Sequence, residues 1–172
     1  MNQIIDNNPS KKPLLVLGIG NYLMGDEGLG VHFARAFEKK LGNHPQIDIV
    51  DGGTGGFHLM PWFEAYETVI LVDATLDEEN PGKINLIKPK FSRDFPRAMS
   101  THDIGLKDVI EGMQLLGTMP SIFLFTVSIA SVQPLQITLS PEIQNSLDSL
   151  TEHVLLLADE LIQTGVNYSS ST

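Results

Sequence analysis

The sequence predicts an α/β domain of three layers: a mostly parallel, five-stranded twisted sheet with helices on both faces. Three observations carry this. The runs LLVLGI (14–19) and TVILVD (68–73) are apolar at nearly every position, as strands buried on both faces must be. Between such runs lie segments whose apolar residues recur at three- and four-residue steps, the spacing of amphipathic helices. The two patterns alternate along the chain, which argues for parallel strands joined by crossover helices. At 172 residues the chain accommodates one domain with a sizeable core.

Each element follows in order. Residues 1–12 are polar and aperiodic and are expected to form a flexible leader, with a single domain spanning 13–165. After the first strand, Val31, Ala34, Phe37 and Leu41 define a helix from Glu27 to about Leu41. Lys39 and Lys40 in its last turn and Gly42 after it signal its end. IDIVD (47–51) is the second strand and leads into GGTGG (52–56); a short helix starts near Pro61. The third strand is 68–73. Asn80-Pro81-Gly82 marks a turn, and KINLIK (83–88) reads as an antiparallel edge strand. Leu106, Val109, Ile110, Met113 and Leu116 define a helix over 100–117, capped by Ser100 or Thr101. SIFLFTVSIA (121–130) is the fifth strand. Pro141 then opens a long helix with Leu147, Leu150, Val154, Leu157 and Leu161 on one face, ended by Gly165. A flexible tail, 166–172, completes the chain.

Composition excludes several functions. Eleven basic against twenty-one acidic residues give a net charge of −10, which disfavours nucleic acid and anionic lipid as partners. With no cysteine, there are no disulfides, thiolate metal sites or cysteine nucleophiles. No run approaches the roughly 20 apolar residues needed to span a bilayer. Lys11 and Lys12 before PLLVLGIG imitate a signal peptide, but no small-residue cleavage site follows. A cytoplasmic protein is expected.

The first strand enters GIGNYLMGDEGLG (18–30), a glycine-rich turn of the kind that cradles phosphates. The dinucleotide fingerprint fails at its third glycine, where Leu23 stands, and the acid that should follow about 20 residues on is missing. No Gly-Lys-Ser/Thr follows either. Moreover, Asp26 and Glu27 place two negative charges where a phosphate would sit. Like charges about 4 Å apart repel by roughly 4 kcal/mol near a protein surface. Acids in a first helical turn can serve the helix dipole alone, worth roughly 0.3–1 kcal/mol each. Likewise, Asp73 could merely cap a turn, and His102 could be an ordinary surface histidine.

The combination is more telling than any one of them. Glu27 follows the first strand, Asp73 ends the third, and His102 opens the helix after the fourth. In a doubly wound sheet the first and third strands are neighbours, and ligands bind at the carboxyl ends of strands where chain order reverses. Two carboxylates and an imidazole meeting there would make an open divalent-metal site. His32, His44 and His153 fit less well and read as structural or solvent-facing, with His58 in reserve. HExxH and GxSxG are absent, which withdraws support from the common zinc-protease and serine-hydrolase arrangements.

GIGNYLMGDEGLG (18–30), DGGTGG (51–56), ILVDA (70–74) and HDIGLKDVI (102–110) together resemble the hydrogenase maturation endopeptidases. The resemblance implies removal of a C-terminal extension from a nickel–iron hydrogenase large-subunit precursor, once nickel is inserted. It places the family's metal ligands, which are also its catalytic group, on Glu27, Asp73 and His102. Nickel would come with the substrate; zinc, cadmium or another divalent ion could stand in for it. Asp26, Asp51, Gly52, Gly53 and Thr54 are expected to shape the substrate cleft, with Asp26 steadying Glu27, and Gly25 and Gly28 to admit a bulky partner. Gly18 and Gly20 are read as tight-turn positions. The segment VQPLQITLSPEI (132–143) departs from the family in being short and lacking its glycine run. Metal-assisted and aspartic-type hydrolysis both stay open, the latter through Asp26, Asp51 or Asp73. A monomer is implied. The alternatives are a doubly wound nucleotide-binding enzyme and a non-catalytic nickel-loading chaperone.

Overall fold

A five-stranded sheet of order β2-β1-β3-β5-β4 organises the molecule. The computed structural model describes residues 12–96 and 104–169; most of the expected leader, the last three residues, the Ser100/Thr101 cap and His102 lie outside them. The strands are β1 (Leu14–Gly18), β2 (Ile47–Asp51), β3 (Thr68–Thr75), β4 (Ile84–Ile87) and β5 (Ser121–Ser128). β1 pairs in parallel with β2 and β3, and β3 with β5. β4 is antiparallel to β5 at the sheet's edge, as its proline-glycine turn and short alternating run predict. The helices are α1 (Leu29–Leu41), α2 (Met60–Ala65), α3 (Ile104–Leu116) and α4 (Pro141–Ser169).

Alternation along the strands sorts the core into two layers. Leu14 and Val16 of β1 with Ile70, Val72 and Ala74 of β3 face Phe33 and Phe37 of α1 and Leu150, Val154 and Ala158 of α4. Leu15, Leu17, Val69 and Leu71 face the other way, onto Phe63 of α2 and Leu106, Val109, Ile110 and Met113 of α3. Burying each such side chain contributes roughly 1.5–3 kcal/mol, so a continuously apolar strand is held from both sides. Among the described residues, no helix is long and apolar enough to cross a membrane.

β3 runs past Asp73 to Thr75 instead of ending at the aspartate, and two helix boundaries shift. Periodicity starts the first helix at Glu27, whereas Gly25–Gly28 form a separate 3₁₀ turn and α1 begins at Leu29. Gly25 has a φ of +59° and Gly28 sits at φ −81° and ψ 5°, both off the α-helical region, while the Gly25 and Asp26 N–H groups are taken by Gln136 O at 2.7 Å and Gln133 Oε1 at 2.8 Å. The second correction is Gly165, which does not end α4; the helix runs on to Ser169. Gly42 and Gly117 follow helix ends with φ of +63° and +68°, the left-handed turn that stops a helix, while Gly165 lacks a positive φ.

Candidate functional site

Chain order reverses between β1 and β3. The strand sequence runs outward from β1 to β2, then crosses to β3 and beyond. At this switch point the carboxyl ends of β1 and β3 lie side by side, with Gly18 in register with Val72. Ile19 N–H donates to Val72 O at 2.9 Å and continues the pairing one residue past the strand.

The close approach of α1 to this edge explains the glycines. A Cβ on Gly30 would lie 2.4 Å from Val72 O and 2.0 Å from Ile19 O, and one on Gly18 would lie 1.9 Å from Gly30 O. Gly18 therefore serves helix–strand contact rather than a tight turn, whereas Gly20 does adopt a φ of +151°. Because Gly30 touches the backbone beside Asp73, the 3₁₀ turn one helical turn earlier is carried to the same place. Glu27 and Asp73 are both wholly buried there, at 0% exposure. One Asp73 carboxylate oxygen accepts the Ala74 N–H at 2.8 Å. Two buried carboxylates from elements far apart in sequence are an oxygen-donor set suited to a divalent cation. The third expected ligand, His102, lies outside the described residues, and so does its relation to the acids.

Asp26 is placed differently from its neighbour. Buried at 2% exposure, it accepts the Ser140 N–H at 2.7 Å on one oxygen and the Gln133 side-chain amide at 3.2 Å on the other. Its carboxylate thus ties the 3₁₀ turn to the segment entering α4. That segment also fills the space beside Gly25, and the loop after β1 fills the space beside Gly28. A Cβ on Gly25 would meet Gln133 Oε1 at 2.1 Å, and one on Gly28 would meet Asn21 O at 3.0 Å. Both glycines admit the chain itself, not an incoming partner.

Asp51 is likewise engaged by its own chain. One oxygen accepts Arg35 Nε at 2.9 Å and Nη2 at 2.8 Å; the other accepts the Gly53 N–H at 2.9 Å. The Arg35 guanidinium also stacks 4.4 Å above the Tyr22 ring. Gly52 is buried and donates its N–H to Gly18 O, Gly53 O accepts from Gly20 N–H, and Thr54 is exposed. The GGTGG loop is therefore stitched to the same edge that holds Glu27. His58 stands 3.1 Å from Gly52 O, His32 packs on Tyr22 at 4.8 Å between ring centroids, His44 accepts the Gln46 N–H, and His153 is exposed. Sequence reasoning missed Gln133, Ser140 and Arg35. Their partners lie 107, 114 and 16 residues away, and no local motif signals such pairings.

Known proteins support the same architecture. The family model for hydrogenase maturation protease matches residues 31–156. A hydrogenase expression/formation protein HupD from Bradyrhizobium diazoefficiens is 31% identical over 165 residues, covering 91% of this chain and 81% of its own length. The Escherichia coli hydrogenase maturating endopeptidase HybD superposes with a TM-score of 0.78 at 30% identity, covering 86% of this chain and 92% of that one. A [NiFe] hydrogenase maturation protease HybD from Thermococcus kodakarensis gives a TM-score of 0.68 at 25% identity, over 84% and 98% of the two chains.

Proposed function

From its membership of the hydrogenase maturation protease family, we propose that this peptidase removes the C-terminal extension of a nickel–iron hydrogenase large-subunit precursor, reading the inserted nickel through Glu27, Asp73 and His102. The observation that carries the reading is the pair of wholly buried carboxylates, Glu27 and Asp73, at the sheet's switch point. A loaded precursor brings a cation to those two carboxylates and a metal-free one does not, which separates the two substrates by the difference in their affinities. The nickel is cargo of the substrate, so selectivity and cleavage converge on one crevice.

Hydrolysis adds water across the scissile amide. The water oxygen bonds to the carbonyl carbon, the C–N bond breaks, and the departing nitrogen takes a proton. A carboxylate in reach of that water can accept its proton as general base. Asp26 and Asp51 spend their oxygens on Ser140, Gln133, Arg35 and Gly53. An aspartic-type route through Asp73 stays beside the metal-assisted one, with Asp73 buried where β3 passes the end of β1. Asp26 and Asp51 act by holding the walls, a positioning role in place of direct substrate contact.

Incubating the full chain with a nickel-loaded precursor and following the C-terminal peptide by mass spectrometry tests this directly. Release by the wild-type chain and none by His102→Ala is the expected result. Full processing by that variant removes histidine from the site. Binding without release would instead identify a nickel-loading chaperone, and saturable NAD or ATP binding at micromolar concentration would favour the nucleotide-enzyme alternative.

A further inference from the structure

Residues 131–140 cross the 3₁₀ turn as a strap between β5 and α4. The strap is held in fixed register to the turn. Gly25 N–H donates to Gln136 O at 2.7 Å, Gln136 N–H donates to Leu23 O at 3.1 Å, and Asp26 grips both Gln133 and Ser140. At its crest stands Leu135, 91% exposed. Its φ is +58°, the left-handed region that a branched L side chain enters only at a cost and that glycine or asparagine tolerates. Leu23 and Ile137, 55% and 50% exposed, flank it along the paired backbones.

Neither the exposure nor the strain stabilises the fold, and glycine or asparagine at 135 would relieve both. Backbone strain kept beside a functional crevice points to a use outside the folded chain. The surroundings indicate what kind. In a protein of net charge −10, the whole stretch from Ser121 to Pro141 contains no charged residue. The strap therefore offers apolar contact without electrostatic preference, one turn of chain away from Glu27.

We propose that Leu135, with Leu23 and Ile137 beside it, is a specificity residue that seats an apolar segment of the precursor polypeptide against the strap before cleavage. The inference rests on the precursor-processing reading above. Anchoring by one well-placed leucine acts on substrate binding and leaves the bond-breaking groups untouched.

The test compares wild type with Leu135→Gly and Leu135→Asn, each as the full chain, for release of the C-terminal peptide from the nickel-loaded precursor and for thermal unfolding. Both variants should raise KM about tenfold, equivalent to about 1.4 kcal/mol, with kcat within about twofold of wild type and Tm unchanged or higher. A KM within about twofold of wild type in both variants overturns the anchor while leaving the processing reading intact. A drop in Tm of several degrees in both also overturns it, because Leu135 would then be a packing residue. A wild-type chain that leaves the precursor uncut overturns the processing reading and the anchor with it.

Discussion

Replacing Gly30 with alanine should unseat the helix that carries the site. The added Cβ would lie 2.0 Å from Ile19 O, 2.4 Å from Val72 O and 2.6 Å from Ile19 N. All three are backbone atoms, so no side-chain rotation relieves the overlap. To restore ordinary contact, α1 must withdraw from β1 and β3 by about 1 Å, at an overpacking cost near the top of the roughly 1–3 kcal/mol range. Alanine's helix propensity returns about 1 kcal/mol. The net loss is about 2 kcal/mol or more, a Tm lower by about 4–8 °C for a chain of this size. Gly112→Ala is the control, since that glycine lies within α3 and its Cβ would have nothing within 4 Å. It should raise Tm by about 2–4 °C through propensity alone. Differential scanning calorimetry on both variants reads the contrast. A Gly30→Ala chain as stable as wild type, or as stable as Gly112→Ala, refutes the close-contact account of the glycine turn.

Other perturbations probe the site's supports. Gln133→Ala removes both the acceptor of the Asp26 N–H and a donor to its carboxylate, and should cost roughly 1–3 kcal/mol in urea unfolding; an unchanged midpoint would show the strap is not clamped. His32 is held below its ordinary value of 6.5, chiefly by burial, with a bond to the Ile137 backbone opposing and the Arg35 charge adding to the shift. Its contribution to stability is therefore complete above pH 6.5 and falls away as acid protonates it, so His32→Gln should flatten the stability loss just below that pH. Burial alone would raise the Asp48 carboxyl, but hydrogen bonds from Lys12 and Tyr66 and the Lys12 charge outweigh it and hold the pKa below 3.8. That stabilisation is present above 3.8 and is lost as pH falls through the lowered value. Tyr66→Phe should move the Asp48 titration upward by NMR, and the effect on stability should stay at about 1 kcal/mol or less because the Lys12–Asp48 pair is near the surface.

The sheet was legible because burial on both faces leaves an unbroken apolar run, as in LLVLG and TVILVDAT, and because Asn80-Pro81-Gly82 forces a turn into the edge strand. The adjacency of β1 and β3 was legible for a topological reason, since it follows from the doubly wound order; Asp73 lies two residues inside β3, and Glu27 lies in the 3₁₀ turn after β1. What lay hidden depends on tertiary contact. The 3₁₀ turn is set by the non-helical backbone of Gly25 and Gly28 and is tied to Gln133 and Gln136, more than a hundred residues away, and periodicity registers neither. Gly165 resembled a stop signal, yet a glycine ends a helix only when its backbone turns left-handed, as at Gly42. Asp26 was expected to steady Glu27; the partners it braces against, Ser140 and Gln133, arrive from beyond the far end of β5 and leave no local signal.

If Glu27, Asp73 and His102 sense the metal in the substrate, the chain must distinguish loaded from empty precursor before any bond is cut. Titrating the chain against nickel-loaded and nickel-free precursor by calorimetry tests it without waiting for cleavage. The loaded form should bind at least about tenfold more tightly, and that preference should be lost in Glu27→Gln, Asp73→Asn and His102→Ala chains that remain folded. Equal affinity for the two precursors, or a preference that survives all three substitutions, contradicts it.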